Sequence, residues 1–248
     1  MGQVTGGARQ ATTLESVHKD LAKATRALRF SAPVAHVYRP LEYAADFVAG
    51  YLSRFGQGKK EVLLLGMNPG PFGMGQTGIP FGDVPTVRDY LGLTGKIRPP
   101  KNVHAKRPVM GLLCPRVEVS GQRLWGAIAK RHPSPATFFK RAFVLNYCPL
   151  LFLDERGANV TPDKIARPER AAMEAVCDEA LSKAVVVLGA KHLVGVGLYA
   201  KKRLEAVAPP GAFVSQIPHP SPASPLANRG WEPLASQALE DAGIRGLF

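Results

Sequence analysis

Three polar side chains stand where an apolar run of the chain gives way to glycine or proline: Asn68, Asn146 and His219. Two carboxamides and one imidazole make a neutral set of hydrogen-bond donors and acceptors, and we expect no carboxylate beside them. Such a set suits a planar amide, for example a nucleobase. Asn146 could bond along its Watson–Crick edge, His219 could donate to a carbonyl oxygen that gains negative charge, and Asn68 could hold a water.

Each of these residues also has an ordinary structural role open to it. A strand-end asparagine often forms a turn or caps a helix, and a histidine in a proline-rich loop can be packed or solvated. Other chemistries lack their motifs, because no G-x-S-x-G elbow surrounds a serine and the histidines show no metal spacing. We therefore expect no metal and no other cofactor.

The segment Met67–Gly82 holds five glycines and three prolines directly after a predicted strand. It predicts a stiff, irregular backbone without helix or strand ladder, able to approach a flat ligand closely. Ligands of an open α/β sheet bind at the carboxyl ends of its strands, which is where this segment begins. Phe81 could stack on a base here, although a core ring within a complicated turn is the alternative.

Four apolar runs predict strands, at Glu61–Leu65, Ala142–Tyr147, Ala184–Gly189 and Phe213–Ile217. Helical patterns alternate with them, including Pro168–Lys183 and Lys191–Val207. This alternation is typical of an α/β fold with a parallel sheet. We expect residues 1–11 to be a disordered N-terminus and residues 12–248 to form a single domain.

The balance of charge favours a polyanionic partner. Lys and Arg number 32 against 19 Asp and Glu, which gives a net charge of +13. Nucleic acid is the leading candidate, and anionic lipid is weaker because no basic amphipathic helix with an aromatic face stands out. Residues 95–119 are basic and interrupted by proline, which predicts a long surface loop facing a polyanion or a partner. A basic enzyme without such a partner is the remaining interpretation.

The spacing of the cysteines and the length of the apolar runs indicate the cellular compartment to expect. Three widely spaced cysteines indicate reduced thiols and argue against an iron–sulfur cluster, which needs four ligands. No apolar run approaches the ~18 residues that span a bilayer, so we expect no membrane association. The expected location is the cytoplasm, with the nucleoid, in a bacterium or the nucleus in a eukaryote, and the expected state is a monomer.

Two long motifs resemble those of the single-strand-selective monofunctional uracil-DNA glycosylases. Gly66–Met74, Gln76–Gly78 and Pro80–Phe81-Gly82 closely resemble the first motif of that family, and His219–Pro222 resembles the second. Further segments look like the family in family order, at Arg107-Pro108-Val109, Cys114-Pro115, Glu118–Gly121, Asn146–Leu150, Pro225, Ala227-Asn228 and Gly230-Trp231. The resemblance extends from His36 to Glu240.

The resemblance implies a three-layer α/β/α fold with a four-stranded parallel sheet, and a role for each matching residue. Asn68 would place the hydrolytic water, His219 would stabilise the departing uracil anion, Phe81 would stack on the base and Asn146 would read its edge. The remaining pocket residues would be Met67, Gly70, Pro71, Phe72 and Met74. Residues that contact DNA would be Ser120, Pro220, Ser221, Pro222, Ala223 and Asn228.

The implied activity is hydrolysis of the N-glycosidic bond of deoxyuridine in single- or double-stranded DNA, leaving an abasic site for base-excision repair. Sister families carry an aspartate where Asn68 stands, so a general base would be missing here. Better-known family members have a bulky basic residue in place of Ala223, so we expect a relative preference for single strands or mismatched pairs, in which extrusion of the base costs less. A mismatch-directed thymine/uracil glycosylase and a non-catalytic nucleic-acid-binding module are the alternatives.

Overall fold

The computed structural model describes residues 11–225 and 227–248. Its strands are β1 (His36–Tyr38), β2 (Val62–Gly66), β3 (Ala142–Asn146), β4 (Leu151–Leu153), β5 (Asn159–Val160), β6 (His192–Val196) and β7 (Phe213–Ile217). Its helices are α1 (Leu14–Ala24), α2 (Pro40–Tyr43), α3 (Ala45–Phe55), α4 (Met74–Thr77), α5 (Val119–Arg131), α6 (Pro135–Phe139), α7 (Arg167–Leu188), α8 (Leu198–Val207) and α9 (Trp231–Asp241). Most of the segment predicted to be disordered, residues 1–10, lies outside the described residues.

The central sheet is parallel and has four strands in the order β3–β2–β6–β7. Strand β2 lies between two neighbours, and each of its residues from Val62 to Leu65 is fully buried. An unbroken apolar run is what a strand covered on both faces requires. Helices flank the sheet, α1 packing on α7 and α5 packing on α9. The predicted three-layer fold with a four-stranded parallel sheet is confirmed.

The prediction of a strand at Ala184–Gly189 is wrong, because this run is the last turn and a half of α7. Ala184, Val185 and Leu188 continue the buried stripe of the helix, while Val186 is 64% exposed on the opposite side. Gly189 then ends the helix in the left-handed conformation, at φ +62. The third strand of the sheet is β6, which occupies the first part of the helix predicted at Lys191–Val207, and α8 forms only the second part.

A second sheet, antiparallel and in the order β1–β4–β5, was not predicted from the sequence. Its strands are two or three residues long, too short to show an alternation of apolar and polar residues. Strand β4 is fully buried and follows the end of β3 by five residues, so this sheet lies close to one end of the central sheet. No helix in the described ranges is long and apolar enough to cross a membrane.

The glycine-rich segment is less irregular than its composition predicts. Residues Met74–Thr77 form the single helical turn α4, closed by Gly78 in the left-handed conformation at φ +78. The prediction that the segment contains no helix is therefore wrong. One turn needs only local hydrogen bonds, such as that from the Gly78 amide to the Met74 carbonyl, and the glycines permit the sharp backbone on either side.

Candidate active site

A cavity of about 480 Å³ opens where β2, β3 and β7 end. Its lining includes the three polar side chains that the sequence singled out, Asn68, Asn146 and His219, together with Phe81. The other predicted residues that line it are Met67, Gly70, Pro71, Phe72, Ser120, Ser221 and Pro222. Met74 lies behind Asn146, whereas Pro220, Ala223 and Asn228 are outside the lining.

Asn146 presents an unsatisfied acceptor to the cavity. Its Nδ2 donates to the Met74 Sδ at 3.2 Å, and its Oδ1 is buried with no hydrogen-bond partner in the described part of the chain. A buried oxygen in this state costs about 1–3 kcal/mol unless a ligand supplies a donor. The N3–H of a pyrimidine is such a donor, and the neighbouring Nδ2 suits its adjacent carbonyl.

His219 is held in a defined tautomer. The amide of Ser221 donates to His219 Nδ1 at 3.1 Å, so Nδ1 is the acceptor nitrogen and the proton of the neutral ring lies on Nε2. Burial lowers the pKa of His219 below its ordinary value, which favours the neutral ring. The site therefore offers one imidazole N–H donor without a full positive charge.

Phe81 is fixed by unusual backbone geometry. It has φ +56, a left-handed conformation that costs a non-glycine residue free energy and is maintained only by its surroundings. Helix α5 holds it there: Gly121 lies so close to the Phe81 carbonyl that a Cβ would come within 2.1 Å, and Trp125 Nε1 donates to the Pro80 carbonyl at 3.0 Å. The ring centroid of Phe81 lies 6.3 Å from that of His219.

Asn68 follows the carboxyl end of β2, and its Nδ2 donates a long hydrogen bond of 3.4 Å to the Pro69 carbonyl. That contact turns the amide nitrogen toward the backbone and leaves Oδ1 as the hydrogen-bond acceptor of the side chain. The described residues contain no group of three His, Cys, Asp or Glu side chains that could hold a metal ion.

The expectation of a site without a carboxylate is wrong, because Glu118 lines the same cavity. Burial raises the pKa of Glu118 to about 7, with the Phe72 and Gly73 amides acting in the opposite direction and the nearby Asp83 acting in the same one. Sequence reasoning missed it because only the fold brings the residue before α5 against the glycine-rich segment. Its one sequence signal was its place in the Glu118–Gly121 segment.

A family model described as the uracil DNA glycosylase superfamily matches residues 53–241. The chain belongs to that superfamily. It is 48% identical over 226 residues to "Single-strand selective monofunctional uracil DNA glycosylase" of Bos taurus, covering 90% of this chain and 83% of the bovine protein. It is 47% identical over 224 residues to the Rattus norvegicus protein of that name, covering 89% and 81%. These identities confirm membership of the single-strand-selective family.

The fold agrees with this assignment. A crystal structure of Pedobacter heparinus SMUG2 matches with a TM-score of 0.64 at 18% identity, covering 91% of this chain and 96% of that one. At a sequence identity this low, the match supports the fold and nothing more. The two family motifs lie at the ends of β2 and β7, which β6 separates in the sheet, and both still contribute to one cavity.

The second motif is held in this uracil-DNA glycosylase by a residue that the sequence did not indicate. Arg123, on α5, donates to the Pro220 carbonyl and to Asn228 Oδ1, each at 2.9 Å. Asn228 Nδ2 donates in turn to the Pro222 carbonyl at 2.8 Å. Asn228, predicted to contact DNA, therefore uses both ends of its amide within the protein.

Two arginines of the predicted basic loop lie against a residue of the first motif. The guanidinium of Arg116 lies 3.9 Å from the ring centroid of Phe72, and that of Arg107 lies 5.3 Å from it. Stacking on an aromatic face attracts a guanidinium and orients it. Because Arg116 and Phe72 also line the cavity, one wall of the cavity carries positive charge.

Proposed function

We propose that this chain hydrolyses the N-glycosidic bond between uracil and deoxyribose in DNA, and that it leaves an abasic site without cutting the strand. The observation that carries the proposal is the convergence of Asn68, Phe81, Asn146 and His219 on one cavity in a chain of this family. The names of its relatives, which state uracil DNA glycosylase activity for those proteins, support the same reaction here.

The chemistry follows from the groups that face the base. Phe81 stacks on the ring, and Asn146 offers the unpaired acceptor and the adjacent donor that the uracil N3–H and O4 require. His219 Nε2–H donates to O2, the atom on which negative charge grows as the bond breaks. One such donor is worth about 10²- to 10³-fold in rate. Asn68 positions the water, and stabilisation of the leaving group is the main source of catalysis.

We also propose that single strands and mismatched pairs are better substrates than a paired A·U. Extrusion of a stacked, paired base costs a few kcal/mol, and a side chain inserted into the stack offsets that cost. Ala223 is exposed at the second motif but carries only a methyl group. The net charge of +13, with Arg116 lining the cavity and Arg107 beside Phe72, supports binding to the phosphate backbone of either form of DNA. A monomer suffices, since one chain supplies every group named.

The proposal is tested with Asn68→Ala and His219→Ala. Purified variants are incubated with single-stranded, G·U and A·U oligonucleotides, and alkali reveals the abasic sites. We expect each variant to lose at least 100-fold in the rate of uracil release while DNA binding in a gel-shift assay stays within about three-fold. Lys101→Ala, a charge change in the basic loop away from the cavity lining, is the control.

The alternatives give different results in the same assay. Release of uracil or thymine from G·U and G·T pairs with none from single strands would identify a mismatch-directed glycosylase. DNA binding without release by the wild-type protein would identify a non-catalytic module. Incision without alkali would contradict the absence of strand cleavage.

A further inference from the structure

An apolar surface is exposed on the segment of residues 110–119, which leads into α5. Four of its large apolar side chains are between 39% and 82% exposed: Met110, Leu113, Val117 and Val119. Val117 and Val119 line the cavity, so this surface begins at the edge of the site. Leu113 is the most exposed of the four. Exposed apolar side chains that cluster beside a cavity indicate a binding surface.

The backbone that carries Leu113 is fixed on both sides. Gln76 Oε1 accepts from the amides of Met110 and Gly111, at 2.8 and 3.2 Å. The Leu113 amide donates to the Met110 carbonyl at 3.2 Å. The amide of Cys114, a buried residue, donates to the Gly111 carbonyl at 3.1 Å. Because the backbone is already ordered, a ligand that covers Leu113 has only one side chain to order, which keeps the cost of binding low.

Positive charge lies close to Leu113. Arg116 follows it by three residues and lines the cavity, and both Arg116 and Arg107 lie over the ring of Phe72. Neither guanidinium forms an ion pair with any residue that the structure describes, so both charges are available to an outside anion. A DNA duplex presents phosphates outside and apolar base faces inside, which matches an apolar side chain with cations beside it. An apolar protein surface would match the leucine and leave the arginines unpaired.

Extrusion of a base from a duplex leaves a gap that the second motif is poorly equipped to fill, because Ala223 carries only a methyl group. Leucine is among the side chains that proteins insert between base steps. Leu113 combines the size that Ala223 lacks with a fixed backbone and a position beside the cavity.

We propose that Leu113 inserts into the base stack of duplex DNA beside the extruded uracil, and that Arg116 pairs with an adjacent phosphate. This inference rests on the proposed function and assigns the 110–119 segment to the extrusion step at the same site. A single strand has little stacking to disrupt, so the contribution of Leu113 is confined to duplex substrates. It offsets only part of the cost of extrusion, which agrees with the proposed preference for single strands.

The test compares Leu113→Ala with wild type in single-turnover release of uracil from A·U, G·U and single-stranded oligonucleotides. We expect about a 10-fold fall on both duplexes and less than about a two-fold change on single strands. Leu113→Met keeps a long apolar side chain and should stay within about three-fold of wild type on the duplexes. Val186→Ala is the control, because Val186 is exposed on α7 at the amino end of the sheet, where Leu188 accepts from the Lys60 amide.

Insertion also has a signature that does not depend on the rate. The probe is a duplex with 2-aminopurine next to 2′-fluoro-2′-deoxyuridine, a nucleotide whose N-glycosidic bond resists hydrolysis. Wild type should raise the fluorescence of 2-aminopurine on binding, because the stack opens. Leu113→Ala should lose about half of that rise or more at saturating protein.

An equal loss on duplexes and single strands would overturn the inference, since Leu113 would then support the fold or the pocket. Unchanged duplex rates would overturn it as well and would favour a protein partner for this surface. A slower duplex reaction with an unchanged fluorescence rise would place Leu113 outside the stack, which also contradicts the inference. Failure of the proposed function is distinguishable, because wild type would then release no uracil from single strands.

Discussion

The two walls of the cavity are held in different ways. The glycine-rich wall, Gly66–Gly82, is packed into the protein, and every residue from Gly73 to Val84 is buried. The histidine loop, Pro218–Pro225, is more open, and Pro222 and Ala223 are exposed within it. Both walls belong to the most family-like parts of the sequence, yet only the first is continuous with the core.

The difference lies in what fixes each backbone. In the glycine-rich wall, Gln76 is buried and bonds the Pro71 and Pro108 carbonyls and the Met110 amide, at 2.8–3.0 Å. The histidine loop depends instead on side chains that reach to it from outside. Trp231 Nε1 donates to the Pro218 carbonyl at 2.7 Å, in addition to the Arg123 contacts. Damage to the first wall should therefore lower stability, and damage to the second should lower activity.

The largest expected effect comes from Arg123→Met, which removes the contacts to Pro220 and Asn228 and leaves the side-chain stem. We expect kcat to fall about 100-fold, since misplacing a catalytic group by about 1 Å has that cost, while KM and the free energy of unfolding change little. Lys130→Met is the matched control, because Lys130 lies on the same helix and forms only an exposed ion pair with Glu232. Single-turnover kinetics and urea denaturation measure the two quantities.

A positioning role for Arg123 has a second signature. Arg123→Lys can reach one of the two acceptors and should recover part of the lost kcat. A variant that loses stability in proportion to its activity would show that the histidine loop is structural in the same sense as the glycine-rich wall, and the contrast between them would fail.

The next effect tests the glycine-rich wall through two glycines of α5. Gly121→Ala would place a Cβ 2.1 Å from the Phe81 carbonyl, and we expect the free energy of unfolding to fall by about 2–3 kcal/mol. At Gly126 a Cβ meets nothing within 4 Å, so Gly126→Ala should raise stability by about 0.5–1 kcal/mol through helix propensity. Denaturant titration of both variants gives the comparison, and equal effects would contradict the proposed close packing.

Another effect concerns pH and Glu118, whose pKa burial raises from 4.5 to about 7. Because the folded state binds the proton more tightly, its contribution to stability is full below about pH 4.5 and is lost as pH rises through about 7. Measured against Glu118→Gln, the free energy of unfolding of wild type should fall by about 3 kcal/mol between pH 4 and pH 8. If the difference in free energy of unfolding between wild type and Glu118→Gln did not change with pH, the pKa of Glu118 would not be raised by burial.

The smallest expected effect is at the exposed tip of the histidine loop. Ala223→Arg adds a side chain that can enter the stack, and we expect about a three-fold gain in release of uracil from A·U with no gain on single strands. Duplex and single-stranded oligonucleotides assayed in parallel measure it. Since Ala223 is exposed, the free energy of unfolding should not change. An equal gain on both substrates would indicate added phosphate binding instead.

The sequence predicted those parts of the site that depend on local pattern. Strands β2, β3 and β7 are apolar runs with polar residues at their ends, so Asn68, Asn146 and His219 could be placed at one edge of the sheet before the fold was known. The match of two long motifs then indicated which chemistry these residues perform.

The errors have physical reasons. The run Ala184–Leu188 has strand propensity, but in α7 it completes a buried stripe that only packing against other helices, α1 and α8, reveals. Strand β6 contains Gly195, where a Cβ would come within 2.3 Å of the Lys201 amide nitrogen in α8. This close approach of α8 requires glycine, and a glycine interrupts the apolar run by which a strand is predicted from sequence. Glu118 and Arg123 act on segments about 45 and 97 residues away, and no local pattern carries that information.

The central claim is that both walls converge on one extruded pyrimidine, and a crystal structure of Asn68→Ala bound to single-stranded DNA with one uracil tests it most directly. We predict the base between Phe81 and the histidine loop, with its N3 within about 3.2 Å of Asn146 Oδ1 and its O2 at hydrogen-bond distance from His219 Nε2. Uracil bound outside this cavity, or with its O2 directed away from His219, would contradict the account.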